Sequence, residues 1–320
     1  DGSVISSGYT SFNGRPHAEH NALNKKFNFN NSNLYVTLEP CSHYGVTPPC
    51  TNLINKKKIK KVFFSIHDSD KRSKNKSKNI LKSRNISVNS KILEKEGKDF
   101  YESYFLQHSD KLPLIDAKIA ISKDYFTINK RKRWITNLHS RKRAHVIRST
   151  YDCLISTSKS INYDNSILNC RIEGLEKKCP DLVIIDRNLK LKKNLKLFDN
   201  MKYRKILLVT CKNDSKKLSF FKSKGVKIIK VGQLKFFKDY KNLFFKLKIK
   251  YSRILVEAGL NFTNFLIKNE LIKNIYIFQS FYKLKNQGTN NSSPNIIKKI
   301  KLKNQISVNL FGDQIYKEKI

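Results

Sequence analysis

Apolar and polar positions divide this chain into short strands and amphipathic helices in regular succession. Runs rich in Ile, Val, Leu and Phe predict strands at Leu34 to Leu38, Lys61 to Ile66, Leu114 to Ile121, Leu182 to Ile185, Ile206 to Thr210, Val226 to Val231, Ile254 to Val256, Ile275 to Phe278 and Ile306 to Leu310. Patterns of helical period predict helices from about His17 to Lys26, after Pro49, and near Ser77 to Arg84, Asn137 to Ser149, Ser215 to Lys224 and Phe262 to Asn269. Strands alternating with helices make both halves α/β. The longest unbroken apolar runs, such as Leu182 to Ile185, are four residues long. A membrane span needs about 20.

A chain of 320 residues exceeds what one core usually organises, at roughly 150 residues per domain. The polar stretch from His108 to Leu112, followed by Pro113, sets the expected boundary, giving domains 1–108 and 113–320. Lys- and Asn-rich tracts at Lys71 to Lys78 and Asn286 to Ser293 read as solvated loops. The net charge of +40, from 65 Lys and Arg against 25 Asp and Glu, raises the question of a nucleic-acid partner. The cations are scattered through nearly every segment, however, which fits a compositional bias better than a built patch. Six cysteines at irregular spacing do not form a disulfide framework, so a reducing, cytoplasmic compartment is expected, with Cys153, Cys170, Cys179 and Cys211 as free thiols. The chain opens at Asp1 without a basic and apolar leader, which reads as a fragment without a secretory signal.

Cys41 and Cys50 stand apart. His17-Ala18-Glu19 opens the first helix, the strand Leu34 to Leu38 runs into Glu39-Pro40-Cys41, and Cys50 follows Thr47-Pro48-Pro49. This is the order of a zinc deaminase: His-x-Glu, then Pro-Cys, then a second Cys. One imidazole and two thiolates fill three tetrahedral positions and leave the fourth for water, as a catalytic zinc requires. A helix N-terminus and a metal both favour the thiolate. Zinc brings the pKa of its water to about 7, and Glu19, two residues from His17, is the expected proton carrier. The bland alternative is a surface histidine with two unrelated thiols, but the shared order of all the parts argues against coincidence.

Deaminases of free nucleosides or tRNA usually carry Pro-Cys-x-x-Cys, whereas eight residues separate the cysteines here. Tyr35-Val36-Thr37-Leu38-Glu39-Pro40-Cys41-Ser42-His43-Tyr44-Gly45-Val46-Thr47-Pro48-Pro49-Cys50, preceded by Gly14-Arg15-Pro16-His17-Ala18-Glu19, closely resembles the bifunctional riboflavin biosynthesis deaminase-reductase family. No Gly-x-Gly-x-x-Gly or Walker A loop occurs in the second half, so its own residues give only an α/β unit with scattered cations. Lys118-Ile119-Ala120, Trp134-Ile135-Thr136, His145-x-x-Arg148 with Asp152, Asp164, Leu168-x-x-Arg171 and Val256-Glu257-Ala258-Gly259 resemble the family's reductase half in order.

The resemblance implies an α/β architecture: a cytidine-deaminase-like three-layer domain, truncated at its start, followed by a dihydrofolate-reductase-like domain. It implies Zn²⁺ on His17, Cys41 and Cys50 with Glu19 catalytic. It implies NADPH lined by Ala120, Trp134, Ser160, Asp164 and the turn Gly259, Leu260, Asn261, Phe262, Thr263, Asn264 and Phe265. Lys132, Arg148, Leu168, Arg171 and Glu257 would face a small phosphoribosylaminopyrimidine. The expected protein is a homo-oligomer without nucleic-acid or membrane partners. A ribose 5-phosphate suits bidentate arginines, although isolated arginines are as often surface residues. Trp134 is by default a packing residue, with stacking near the nicotinamide as the alternative the resemblance offers.

The sequence departs from the family in several places. Its Ser-Leu-Asp-Gly turn is Ser122-Lys123-Asp124-Tyr125, where Tyr stands at a position suited to positive φ. Gly-x-Gly-Thr is Thr157-Ser158-Lys159-Ser160, Asp-Asp-Pro is Asp164-Asn165-Ser166, and Glu-Gly-Gly is Glu257-Ala258-Gly259. Asp-Pro-Asn-Pro is Asp68-Ser69-Asp70-Lys71, and the opening Pro-Asn-Pro-x-Val-Gly stretch is absent. Two competing readings follow: a tRNA or single-stranded nucleic-acid deaminase, and a truncated protein that keeps the fold with one activity or neither.

Overall fold

The structure, a computed structural model, describes residues 2–12, 14–199, 201–293 and 295–320. The chain divides into two compact units, Asp1–Phe105 and Leu106–Ile320. The first contains α1 (Ala18–Leu23), β1 (Asn33–Leu38), α2 (Cys50–Lys56), β2 (Lys61–Ile66), α3 (Ser77–Lys82), β3 (Ser87–Ser90) and most of α4 (Glu94–Gln107). Its sheet has the order β1-β2-β3, all parallel. Parallel pairing needs a crossover between strands, and α2 and α3 supply them. Leu23, Ile54, Val62, Phe64 and Leu81 make its core.

The second unit contains β4 (Leu114–Ile121), β5 (Ile128–Asn129), α5 (Leu138–Arg148), β6 (Cys153–Thr157), α6 (Ser158–Asp164), β7 (Asp181–Ile185), β8 (Ile206–Thr210), α7 (Ser215–Ser223), β9 (Lys227–Lys230), α8 (Phe237–Lys248), β10 (Arg253–Val256), α9 (Leu260–Lys268), β11 (Asn274–Gln279), β12 (Gly288–Thr289) and β13 (Gln314–Lys319). Eight strands form one sheet in the order β13-β11-β4-β10-β6-β7-β8-β9. All pairs are parallel except β13 on β11. Both faces are covered, so the central strands are apolar on both sides. Leu154, Ile155, Val183, Ile184 and Leu208 are fully buried.

Most expected elements are present within a few residues of their positions, and three differences have clear causes. The strand expected at Ile306 to Leu310 is irregular: Gln305 and Leu310 form only isolated bridges, to Tyr316 and Asp313. Positive φ at Phe311 and Gly312 then reverses the chain into β13. The tract Asn286 to Ser293 is not simply a solvated loop, because it contains β12, which pairs with β5. The Asn290 side chain also accepts from both the amide and hydroxyl of Thr127, at 2.9 and 2.8 Å. Lysine density hides the stripe Tyr240, Leu243, Phe244 and Leu247 by which α8 buries itself. Tyr125 has φ 66° and tolerates it by packing its ring against the core.

Candidate functional site

The first site is built from three places in unit 1. His17 caps α1 in extended conformation, Cys41 follows β1, and Cys50 is the first residue of α2. Their ligand atoms lie within 4.8 Å of one another, with His17 Nδ1 3.4 Å from Cys50 Sγ and the Cys50 amide donating to Cys41 Sγ at 3.2 Å. Zinc bonds of about 2.0–2.3 Å in a tetrahedron place such donors roughly 3.5 Å apart, so the set fits that ion. The two thiols hold one charge between them. Cys50 as donor holds Cys41 down to about 4, and the same contact, with burial, pushes Cys50 well up. A divalent cation displaces the second proton. Glu19, two residues from His17 in the first turn of α1, is buried, and its burial pushes its carboxyl up.

The long interval between the cysteines is a surface loop, with Tyr44 and Val46 exposed at its tip. It is fixed at its base by Arg15, which donates to the Thr47 hydroxyl at 2.7 Å. Glu39 holds the other side. This buried carboxylate accepts from the Asp68, Asn75 and Ser77 amides, the Ser77 hydroxyl and His67. It thereby ties the segment after β2 to the strand that delivers Cys41. Asp68 and Asp70, in the segment where the family pattern differs, are occupied locally: Asp68 accepts from the Asp70 amide and Asp70 pairs with Arg72. Gly8 crosses α1 so closely that a Cβ there would lie 2.5 Å from the Ala22 nitrogen and 2.6 Å from the Ala18 oxygen.

The second site lies in unit 2, where a cleft of about 1540 Å³ opens along the carboxyl ends of β4, β10, β6 and β7. That is the usual ligand position in an open parallel sheet. Inside it, the Glu257 carboxylate receives Arg148 Nε at 2.5 Å and Nη2 at 2.9 Å, with Lys118 Nζ 3.7 Å away. Burial alone would raise Glu257. The charge and hydrogen bonds of Arg148, together with Lys118, reverse this and hold it at about 2. His145, pushed down to about 4 by burial and by Arg148 and Arg171, is neutral at pH 7. Its Nδ1 meets the Asn169 carbonyl at 2.9 Å. Arg148 donates to the same carbonyl, and Arg171 to the Asn169 side chain.

Ala120, Trp134, Ser160, Asp164, Gly259, Leu260, Asn261 and Phe262 line this cleft, as do Lys132, Arg148, Leu168, Arg171 and Glu257. Thr263, Asn264 and Phe265 are not part of its wall. Thr263 turns its hydroxyl back to the Ala258 and Gly259 carbonyls, Asn264 donates to Ser292, and Phe265 packs on Tyr240. The start of α9 faces the cleft, and one turn later its side chains face the core. Trp134 is not a packing residue: it is half-exposed, with the Arg133 and Arg141 guanidiniums each 4.8 Å from its ring.

Comparison with known proteins agrees with both sites. The cytidine and deoxycytidylate deaminase zinc-binding region matches residues 1–66, and the RibD C-terminal domain matches residues 113–280. The riboflavin biosynthesis protein RibD of Aquifex aeolicus is 30% identical over 282 residues, covering 87% of this chain and 77% of that protein. The chain belongs to the RibD family. Two solved structures share its fold. A diaminohydroxyphosphoribosylaminopyrimidine deaminase/5-amino-6-(5-phosphoribosylamino)uracil reductase from Thermotoga maritima has a TM-score of 0.79 at 24% identity, covering 100% of this chain and 89% of that one. RibD from Acinetobacter baumannii has a TM-score of 0.75 at 24% identity, covering 99% and 89%. As a RibD-family member, the chain is an enzyme of riboflavin biosynthesis with a zinc-dependent deaminase region and an NADPH-dependent reductase domain. The folds are those of a cytidine-deaminase-like zinc-binding region and a RibD C-terminal domain. Among the described residues no helix is long and apolar enough to cross a membrane.

Two residues in or behind this RibD-family cleft were given no role by the sequence: Lys118 lines it, and Arg204 lies in a smaller neighbouring pocket with Asn169 and Arg171. Lys118 lies inside a buried strand, and its signal is a lone cation within Leu114–Ile121, where burial demands a partner. Arg204 precedes β8 and gives no such signal. It is 7% exposed, donates to the Leu168 carbonyl at 2.6 Å and to the Ile167 carbonyl, and is pushed down to about 10 by burial. Leu168 has φ 53°, a costly conformation for a bulky residue, and Arg204 holds it there. Arg204→Ala removes two charge-assisted hydrogen bonds, each worth about 1.5–3 kcal/mol. Steady-state kinetics should give a several-fold higher KM for the pyrimidine with a smaller change in kcat, partly restored in Arg204→Lys.

Proposed function

We propose that this chain performs two successive steps on one pyrimidine: hydrolytic deamination of 2,5-diamino-6-(5-phosphoribosylamino)pyrimidin-4-one, then reduction of its ribosyl group to the ribityl form. The observation that carries the reading is the pairing of a His-Cys-Cys donor set beside a buried Glu in unit 1 with a cationic cleft in unit 2. Unit boundaries near 108–113, residue roles, a cytoplasmic location, homo-oligomerisation and the absence of a nucleic-acid partner belong to the same proposal.

When bound to His17, Cys41 and Cys50, zinc supplies the Lewis acidity that makes water nucleophilic near neutral pH. Glu19 takes the proton of the attacking water and returns it to a ring nitrogen and then to the departing amine. Its burial keeps bulk water from competing for that proton. The Glu39 network holds the Cys41 strand end and the segment after β2 in place around it. In the cleft, NADPH supplies the hydride. Arg148 and Arg171 offer the forked donors that a phosphate accepts. Glu257 remains ionised and fixes Arg148 in orientation, while neutral His145 braces the 169–171 segment through the Asn169 carbonyl. The cleft volume of about 1540 Å³ exceeds the roughly 300–1,000 Å³ of a single-ligand pocket, leaving room for a dinucleotide beside the pyrimidine. Orientation provides the rate, since hydride transfer needs no covalent nucleophile.

The test is a paired assay on the purified, zinc-loaded chain, with ammonia release measured from the diaminopyrimidine and NADPH oxidation followed separately with the deaminated and undeaminated compounds. Ammonia release and oxidation with both compounds are expected. Chelating zinc should stop ammonia release and oxidation with the undeaminated compound, and leave oxidation with the deaminated one intact. Ammonia release from an RNA oligonucleotide but not from the pyrimidine would assign the deaminase to nucleic acid instead.

A further inference from the structure

Two cysteines that neither site uses share one pocket. Cys41 and Cys50 belong to the zinc donor set, and Cys153 is fully buried in β6. Cys170 and Cys179 instead line a pocket of about 340 Å³ with Asn169, Arg171 and Arg204. The Cys170 amide donates to Cys179 Sγ at 3.4 Å, while the Cys170 thiol donates to the His145 carbonyl at 3.5 Å. A sulfur so close to the backbone of another cysteine lies within a side-chain rotation of its thiol. Among the described residues no further His, Cys, Asp or Glu gathers with them as His17 does with Cys41 and Cys50, so nothing there completes a metal site.

The chain between the two sulfurs can yield while its ends stay fixed. Cys170 is buried, and the carbonyl of its neighbour Asn169 is held by His145 at 2.9 Å and Arg148 at 3.1 Å. Cys179 stands two residues before β7. Between them Arg171, Glu173, Gly174, Glu176, Lys177 and Lys178 are exposed, and the regular structure is the short turn Glu176–Lys178. A disulfide needs Cα atoms about 4.4–6.8 Å apart with suitable side-chain torsions, and adjustment of this exposed link reaches that geometry without moving α5 or β7. Cys179 is half-buried, so a small oxidant reaches it from the pocket.

We propose that Cys170 and Cys179 form a redox-sensitive thiol pair that closes to a disulfide under peroxide and weakens the reductase's hold on its substrate, leaving the deaminase untouched. Cys179, the more accessible thiol, attacks hydrogen peroxide: its sulfur takes one oxygen as a sulfenic acid, and the other oxygen leaves as water. The Cys170 thiol then displaces the sulfenic hydroxyl as a second water. Two thiols lose two electrons and two protons, and one peroxide becomes two waters. In a reducing compartment the pair stays open until oxidant arrives, as redox-sensing disulfides do. The effect on the reductase rests on reading Leu168 and Arg171 as substrate-facing; the pairing of the thiols does not. Turning Cys170 Sγ from the His145 carbonyl to Cys179 twists the residue between Asn169 and Arg171. Arg171 donates to Asn169 Oδ1 at 2.8 Å and its amide to His145 Nδ1 at 3.3 Å, so the twist carries its guanidinium out of place.

The test treats the zinc-loaded whole chain with hydrogen peroxide and follows NADPH oxidation with the deaminated pyrimidine, which bypasses unit 1. Peptide mapping without reductant should find Cys170 joined to Cys179. Kinetics should show a several-fold higher KM for the pyrimidine with a smaller change in kcat, and dithiothreitol should reverse both the link and the KM. Cys179→Ser should have ordinary kinetics before treatment and resist peroxide, whereas Cys211→Ser, which removes a thiol elsewhere, should respond like the unmodified chain. Absence of the Cys170–Cys179 link, or an equal loss in Cys179→Ser, overturns the switch. A link that leaves KM unchanged overturns its effect on the reductase. No NADPH oxidation by the untreated, reduced chain removes the functional reading of the cleft, and with it the effect on the reductase; the mapping then decides the thiol pair by itself.

Discussion

Glu19→Gln is expected to abolish ammonia release while zinc stays bound and the reductase keeps its rate. The substitution preserves shape and one hydrogen-bonding oxygen but cannot carry a proton between water, ring nitrogen and leaving amine. General acid-base transfer contributes about 10²–10⁴-fold, and both halves of the relay run through this one residue. His17, Cys41 and Cys50 do not include Glu19 in their donor set, so metal content measured by atomic absorption should be unchanged. NADPH oxidation with the deaminated pyrimidine should proceed normally. Retained ammonia release would refute the role of Glu19, and lost zinc would show that its contribution is to hold the site together.

The largest stability effect belongs to Glu257→Gln. Arg148 and Lys118 are buried beside this carboxylate, with side-chain exposures of 11% and 18%, and removing its charge leaves two cations without compensation. Breaking such a pair costs about 3–5 kcal/mol, which for a unit of this size lowers Tm by roughly 10 °C. The sign with pH follows from the depressed carboxyl. Glu257 falls from 4.5 to about 2 in the folded chain, so its stabilisation is complete above the unfolded value and is lost as pH falls from about 4.5 toward 2. Calorimetric scans should therefore show Glu257→Gln destabilised at pH 7, with the gap to the unmodified chain closing as pH falls toward 2. NADPH oxidation should fall with it, because Arg148 loses the two hydrogen bonds that orient it. A gap that stays constant down to acid pH would mean that Glu257 acts by packing rather than by charge.

The zinc site was legible because its chemistry is local in type and order. His-x-Glu and two cysteines after Pro are rare enough that their succession along the chain names the reaction before any distance is known. The reductase cleft was less legible. Arg148, Arg171 and Glu257 look like ordinary surface residues in sequence, and only the resemblance singled them out. Lys118 shows in the sequence only as a lone cation within an apolar strand, and Arg204 carries no signal except burial, which is a property of the folded sheet. The family pattern named seven consecutive positions from Gly259, and the rotation of α9 puts Gly259, Leu260, Asn261 and Phe262 of them on the cleft wall.

By itself the sequence determined the α/β alternation, the donor set for a catalytic zinc and the two-part organisation, because each depends on residue type and short-range spacing. The tertiary structure decided which side chains share a cavity. It brought β10 between β4 and β6, so that Lys118 of β4, Glu257 after β10 and Arg148 at the end of α5 meet although far apart in the chain. It released Trp134 from the core to the cleft wall. Those outcomes follow from the crossover connections of a parallel sheet, which set neighbours by topology and leave no periodic trace in the residues they join.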